Sequence, residues 1–195
     1  MDFTVDRTAS EADGTPVFLL RDSQGTSLLR AEQAQGPPPE QRRQIRLSRP
    51  SGRVVATIDL PHAEPPAIPA EKRTDYAIIH DFAVYAIISV CRRSDADESG
   101  PTEDYYLLEV EGETWLALPE QQEVGCYMLY DEVPAGLHTY ETLTELDLPD
   151  SIGRLCRRAE QPAGVSITLS PQRLKHIDLV LLALGLLIDR SEPVS

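Results

Sequence analysis

Ten consecutive residues near the end of the chain carry no polar side chain. From residue 179 to residue 188 the sequence reads Leu-Val-Leu-Leu-Ala-Leu-Gly-Leu-Leu-Ile. A helix on a protein surface keeps a polar face toward water, so a helix of this composition has to be enclosed on all sides. Ten helical residues span only about 15 Å, whereas the hydrocarbon core of a membrane is about 30 Å thick. The segment therefore predicts a short helix buried in the protein's own interior.

The composition is that of a soluble globular domain with a marked acidic excess. The chain has 195 residues, of which 41% are hydrophobic and 26% charged, and its formal net charge is -14. The charge is uneven, since residues 1–60 carry 8 acids and 8 arginines and the remainder carries the whole excess. This balance argues against nucleic acid as a partner and against general adhesion to anionic surfaces. We predict a single domain with a substantial core.

The cysteines and the N-terminus predict an intracellular protein. Cys91, Cys126 and Cys156 are an odd number without CxxC spacing, which is typical of a reducing compartment. Cys91 and Cys126 lie in apolar runs and are expected to be buried thiols. The first residues, Met-Asp-Phe-Thr-Val-Asp, are acidic and contain no apolar stretch, so we predict neither a signal peptide nor a membrane span and expect a cytoplasmic location.

Most of the chain before the apolar segment has the pattern of short strands joined by tight turns. Turn sequences stand at 22–25, 49–52 and 111–112. The strand-like runs are 17–21, 26–31, 42–48, 53–60, 76–79, 83–91, 105–110, 113–118, 124–130, 137–146, 152–157 and 165–169. Their connections are too short for parallel crossovers, so the sheet is predicted to be antiparallel. Ser170 and Pro171 are a favourable N-cap and first helical residue, which predicts a helix over 171–189.

These patterns together predict a mainly β fold, a closed antiparallel β-barrel of about twelve strands around a buried hydrophobic C-terminal helix. Closure removes exposed sheet edges, and a barrel of that strand number has a lumen too wide for its own side chains to fill. The single domain 1–195 divides into a first half over about 1–60, a proline-rich crossing at 61–72, a second half at 73–169, the central helix and a tail at 190–195.

The turns at 22–25 and 51–52 and the closing stretch 178–189 resemble the tubby-like superfamily, in particular the LURP-one-related branch that includes the phospholipid scramblases. The resemblance implies a barrel of twelve antiparallel strands around a hydrophobic C-terminal helix. It also implies binding rather than catalysis, since tubby proteins bind phosphoinositides through basic surface residues and scramblase-like members associate with membranes. The proline-rich crossing and the acidic loop at 94–104 depart from the family pattern.

Basic residues concentrate in one strand and the turn that follows it. In an extended strand Arg42 and Arg46 face one side, and Arg43 and Arg49 face the other, with Arg53 beyond the turn. Arginine binds phosphate through two parallel hydrogen bonds, so these residues are a candidate site for an anion or a lipid headgroup. The alternative is a solvated strand edge paired with nearby acids.

No motif indicates a metal site or a catalytic centre. The loop at 94–104 contains Asp95-x-Asp97-x-Ser99-Gly100, the opening of a calcium-binding loop, but Tyr106 stands where the final glutamate belongs. A solvated acidic loop is the preferred interpretation. The four histidines have no ligand spacing, and nucleophile-elbow, phosphate-loop and zinc-protease motifs are missing from the sequence. We therefore predict no metal, no cofactor and no enzymatic activity.

The sequence favours a binding or scaffold protein whose partner is another protein or an anionic lipid headgroup at the barrel surface. The alternative is a helix-grip carrier, in which a sheet wraps the C-terminal helix around a cavity for an apolar small molecule. Insertion of residues 174–190 into a membrane is a third possibility.

Overall fold

The computed structural model describes residues 1–10, 14–33, 44–59, 72–92, 104–120, 122–131, 133, 148, 150–158, 163–171 and 174–190. The predicted strand at 137–146, residues 61–71 of the predicted crossing at 61–72, and the calcium-like residues Asp95, Asp97 and Ser99 lie outside these ranges. Within the described ranges, no helix combines the length and the apolar composition needed to cross a membrane.

The described residues form a closed barrel of twelve antiparallel strands in which spatial order follows chain order. The strands are β1 (Asp2–Ala9), β2 (Pro16–Asp22), β3 (Ser27–Gln33), β4 (Gln44–Ser48), β5 (Val54–Asp59), β6 (Lys72–His80), β7 (Ala83–Arg92), β8 (Tyr105–Val110), β9 (Glu113–Pro119), β10 (Cys126–Tyr130), β11 (Gly153–Arg158) and β12 (Gly164–Leu169), followed by the helix α1 (Ile177–Arg190). Hydrogen bonding of β1 to β12 closes the sheet. The predicted fold class is confirmed.

The two ends of the barrel differ in their connections. The tight turns at 22–26, 49–53, 81–82 and 111–112 lie together at one end, which we call the hairpin end. Gly25, Gly52 and Gly112 provide the positive φ angles that three of these turns require. Because α1 follows β12, the helix enters the barrel at the hairpin end and finishes at the opposite end.

The helix fills the lumen of the barrel. All residues from 179 to 188 are buried, and most of them are no more than 1% exposed. Alternate residues of the strands face them, including Tyr106 and Leu108 of β8 and Trp115 of β9. Gly185 lets the wall approach closely, since a Cβ there would lie 2.7 Å from Cγ2 of Val5. The expected burial of the apolar segment is confirmed.

The helix begins at Ile177, later than the predicted residue 171. The chain leaves β12 in the barrel wall and has to reach the barrel axis before the helix can start. The backbone N–H of Ser170 still donates to the carbonyl of Ile152 at 2.7 Å, and Leu174 is already buried. Ser170 therefore ends a strand rather than capping the helix, and the predicted N-cap is wrong.

Charged side chains hold α1 at both ends. Asp178 in its first turn accepts a hydrogen bond from the Arg49 guanidinium at 2.7 Å. Asp189 in the last turn pairs with Arg7 of β1 at 3.2 Å. The guanidinium of Arg190 lies 5.8 Å from the centre of the Phe18 ring, within the range of a cation–π contact. The apolar helix thus keeps its few charges at the two openings of the barrel.

Sequence patterning missed β1. This strand closes the barrel, yet it carries acidic and basic residues that resemble a solvated tail. Asp6, only 7% exposed, accepts hydrogen bonds from Arg21 of β2 and Arg158 of β11. The ion pairs with Arg21 and Arg158 therefore explain how β1 accommodates a buried carboxylate in the barrel wall.

A second hydrophobic cluster lies on the outside of the barrel. Its buried members are Cys91, Tyr105, Leu107, Leu116 and Val133. Val133, which follows β10, and Leu148, which precedes β11, pack here against side chains on the outer surface of β8 and β9.

The cysteine prediction is half right. Cys91 is buried and forms no disulfide, as expected. Cys126 is not, because it forms a disulfide with Cys156, 30 residues further along the chain. The register of β10 and β11 places these two residues directly opposite each other, with Cα atoms 4.1 Å apart. The spacing of the two cysteines in the sequence does not indicate that they are close, because their proximity depends on how β10 pairs with β11.

Candidate functional site at the hairpin end

The predicted arginine strand is only partly assembled into one surface. Arg42 and Arg43 lie outside the described residues. Arg46 of β4 is exposed and faces outward between Glu32 of β3 and Thr57 of β5, because its neighbours in β4 face the core. Arg53 is exposed at the turn between β4 and β5.

Arg49 has a structural role at the mouth of the barrel. A register shift between Leu47 and Ser48 breaks the alternation of β4 just before it. The Arg49 guanidinium consequently reaches the helix entrance, where it donates to Asp178 and, at 3.5 Å, to the carbonyl of Leu28. An anion that bound Arg49 would have to compete with Asp178.

We predict a measurable coupling between Arg49 and Asp178. In a double-mutant cycle with Arg49→Met and Asp178→Asn, the coupling should be about 0.5–1 kcal/mol, because the pair is partly exposed. Urea unfolding at low and high salt measures it, and the coupling should shrink in high salt. Additive effects of the two substitutions would contradict the role of Arg49 as an anchor of the helix.

Three aromatic rings pack together beside this ion pair. The His80 and His176 ring centres are 4.4 Å apart, and the Tyr85 ring lies 5.5 Å from His176. Nδ1 of His80 donates to the carbonyl of Val55 at 2.7 Å, since a carbonyl only accepts. The backbone N–H of His176 donates to the Tyr85 hydroxyl at 3.3 Å. The cluster fixes the segment that leads into α1.

The Tyr85 hydroxyl is held in its neutral form. Burial is the main reason that the pKa of Tyr85 is raised, and the nearby carboxylates of Glu111 and Asp178 add to the effect. The hydrogen bond from the His176 backbone opposes it. A neutral phenol engaged with the backbone suits a structural contact better than proton transfer.

The turn between β6 and β7 has an unusual residue at its apex. Asp81 and Phe82 have φ angles of 47° and 62°, the left-handed conformation that a two-residue hairpin requires. Asparagine and glycine are the usual residues in such a turn, whereas a bulky side chain is strained there. Phe82 is also fully exposed, at 104% of its reference area. An aromatic side chain therefore projects into water from a strained turn.

Two further apolar side chains are exposed at the same end. Val84 is 61% exposed and follows Phe82 in the same hairpin. Val54 is 50% exposed, and the pairing of Ala56 with His80 places it level with Phe82 on the neighbouring strand. We call Val54, Phe82 and Val84 the apical patch. Its flanking residues, Arg53 and Asp81, are exposed and opposite in charge.

Sequence reasoning found the basic turn but missed the apical patch. The available signal was an Asp-Phe pair where hairpin chemistry favours Asn-Gly, between two strand-like runs. A second basic group, Arg154, Arg157 and Arg158 of β11, was also missed. Within the described residues, Arg154 binds Glu120 and Glu123, and Arg158 binds Asp6.

Comparison with known proteins does not identify a relative: no protein-family model, curated protein or solved structure matches this chain.

Proposed function

We propose that this protein is a non-enzymatic binding protein of the tubby-like, LURP-one-related type, which docks a protein partner on the apical patch. The closed antiparallel barrel with a hydrophobic C-terminal helix supports the family proposal. The observation that carries the docking proposal is Phe82, fully exposed on a strained turn.

Strain and exposure at Phe82 are both unfavourable for the isolated protein. A left-handed non-glycine residue costs about 1–2 kcal/mol, and an exposed aromatic ring gains nothing from the core. Aromatic residues are enriched among the residues that dominate protein interfaces, where they enter pockets on the partner. Phe82 has the position and chemistry of such an anchor, with Val54 and Val84 beside it.

The charges around the patch favour a protein over an anionic membrane. Arg53 is exposed, but Arg49 is engaged with Asp178, and Asp81 is exposed next to Phe82. The whole chain carries a formal charge of -14. An anionic bilayer would be repelled by this excess, whereas an apolar centre with a rim of both charges matches a protein interface.

Packing inside the barrel supports binding at the outer surface rather than in the lumen. A small-molecule carrier of the helix-grip kind needs open space beside its helix. In this barrel the helix is buried from residue 179 to residue 188, and Val5 presses against Gly185. The carrier hypothesis therefore receives no support from the described core.

Phe82→Gly is expected to stabilise the barrel while weakening partner binding. Glycine accepts the positive φ angle, so the free energy of unfolding should rise by about 0.5–1 kcal/mol after the entropy cost of glycine is included. Chemical denaturation measures the stability. Quantitative affinity capture with wild-type and variant protein measures the binding, and a partner that needs the apical patch should be lost.

Val124→Ser is the matched control, because Val124 is 80% exposed but lies in the β9–β10 turn at the opposite end. Its partner binding should equal that of the wild type. Flotation with anionic vesicles tests the lipid alternative, with Arg53→Glu as the informative variant. The proposal would be overturned if the wild-type protein bound anionic vesicles and Arg53→Glu did not. It would also be overturned if Phe82→Gly retained the protein partner as well as the wild type does.

A further inference from the structure

Three side chains with metal-binding atoms meet on the outer face of the barrel, far from the apical patch. The Sγ atoms of Cys126 and Cys156 and a carboxylate oxygen of Glu123 all lie within 4.8 Å of one another. Cys126 and Cys156 are opposite each other in β10 and β11, and both face outward because Tyr127 and Leu155 face the core. Glu123 lies in the turn that leads into β10.

We propose that, when the disulfide is reduced, Cys126, Cys156 and Glu123 bind one thiophilic divalent cation of the Zn²⁺ class. An external thiol reductant would transfer two electrons and two protons to the S–S bond, giving two thiols. Metal binding would then displace the two thiol protons to solvent and form two metal–sulfur bonds. The disulfide and the metal complex exclude each other, since each uses both sulfur atoms.

A small separation of the two sulfur atoms after reduction would give the spacing of a tetrahedral site. Metal–sulfur and metal–oxygen bonds of about 2.0–2.3 Å place the ligand atoms of a tetrahedral zinc site about 3.3–3.8 Å apart. In the oxidised protein the two sulfur atoms are bonded to each other, and a carboxylate oxygen of Glu123 lies within 4.8 Å of both. Reduction lets the two sulfur atoms separate by side-chain rotation, while the strand pairing keeps Cys126 and Cys156 opposite each other.

The surrounding turn positions the carboxylate. The N–H of Cys126 donates to the carbonyl of Glu123 at 3.1 Å, and the N–H of Arg157 donates to the carbonyl of Gly125 at 2.9 Å, which ties the turn to β11. Arg154 holds Oε2 of Glu123 at 2.5 Å. A second group that orients a ligating carboxylate is typical of metal sites.

The site has an entry path and leaves room for a further ligand. Glu123 is exposed and Cys156 partly exposed, whereas Cys126 is 2% exposed. A cation would approach from the side of Glu123, and water would complete a coordination shell that has three protein ligands.

Titration with Co²⁺, a coloured probe for zinc sites, tests the proposal. The wild-type protein is reduced, freed of reductant without air, and titrated next to the oxidised protein. We expect one Co²⁺ per reduced chain, with a thiolate-to-cobalt absorption band that Zn²⁺ removes. Cys126→Ser and Cys156→Ser should each abolish the band, and Glu123→Gln should weaken binding by about tenfold or more.

Two variants serve as matched controls. Glu120→Gln also removes a carboxylate that binds Arg154, but Glu120 is not part of the cluster, so its effect should be much smaller than that of Glu123→Gln. Cys91→Ser removes the buried thiol elsewhere and should leave the band unchanged. Equal Co²⁺ binding by the oxidised and the reduced wild-type protein would overturn the proposal, and this comparison does not require any serine variant to fold. The proposal would also be overturned if Cys91→Ser were the only cysteine substitution that abolished binding.

Discussion

Leu182→Asp is expected to prevent folding. Leu182 lies at the centre of the lumen helix and is 0% exposed. A carboxylate there would lose its hydration without gaining a partner, and even the neutral acid would leave a polar group in an apolar core. The combined cost approaches the total stability of a typical domain, about 5–15 kcal/mol. Soluble yield and circular dichroism measure the outcome, and the variant should be insoluble or lack a cooperative transition.

Two controls show whether the effect of Leu182→Asp comes from burying a charge. One measures the loss of side-chain volume alone, and the other measures the effect of an aspartate at an exposed position. Leu182→Ala should still fold, with a loss of about 2–5 kcal/mol, because it leaves a cavity but buries no polar group. Val124→Asp, at a position that is 80% exposed, should change stability by no more than about 0.5 kcal/mol. A soluble Leu182→Asp protein with an unchanged melting temperature would show that the helix is not enclosed.

The helix and most strands could be predicted because their signals are local. A run of ten apolar residues needs an enclosure, and tight turns such as Glu111-Gly112 identify antiparallel hairpins without any knowledge of the fold. β1 was missed because its signal is not local. Asp6 is tolerated only because Arg21 and Arg158 reach it from other strands, and no pattern within residues 2–9 records that pairing.

The same distinction separates the predicted sites from the observed ones. The arginine-rich strand was visible in the sequence, but the register shift at Leu47 and the ion pair of Arg49 with Asp178 decide what those arginines can do. The juxtaposition of Cys126 with Cys156 depends on the register of two strands separated by a long connection. A pattern in a single sequence shows which residue types are present, but it does not show which residues lie next to each other on different strands, and these sites depend on that.

Gly164→Ala is expected to open the seam that closes the barrel. Gly164 is the first residue of β12 and pairs with Asp6 of β1. Its φ angle is 151°, and a Cβ atom there would lie 1.9 Å from the carbonyl oxygen of Val5. That contact is with backbone, so no side-chain rotation can relieve it. We expect a loss of about 4 kcal/mol or more, which corresponds to a fall in melting temperature of roughly 10 °C or more.

Gly52→Ala measures the conformational part of this effect alone, so the difference between the two variants gives the steric part. Gly52 also has a positive φ angle, 84°, but a Cβ atom there would meet nothing within 4 Å. Its substitution should cost only the conformational penalty, about 1–2 kcal/mol. Hydrogen exchange should then show loss of protection at the β1–β12 seam in Gly164→Ala but not in Gly52→Ala. Equal destabilisation by the two substitutions would mean that β1 does not approach β12 closely, and that the barrel is open at this seam.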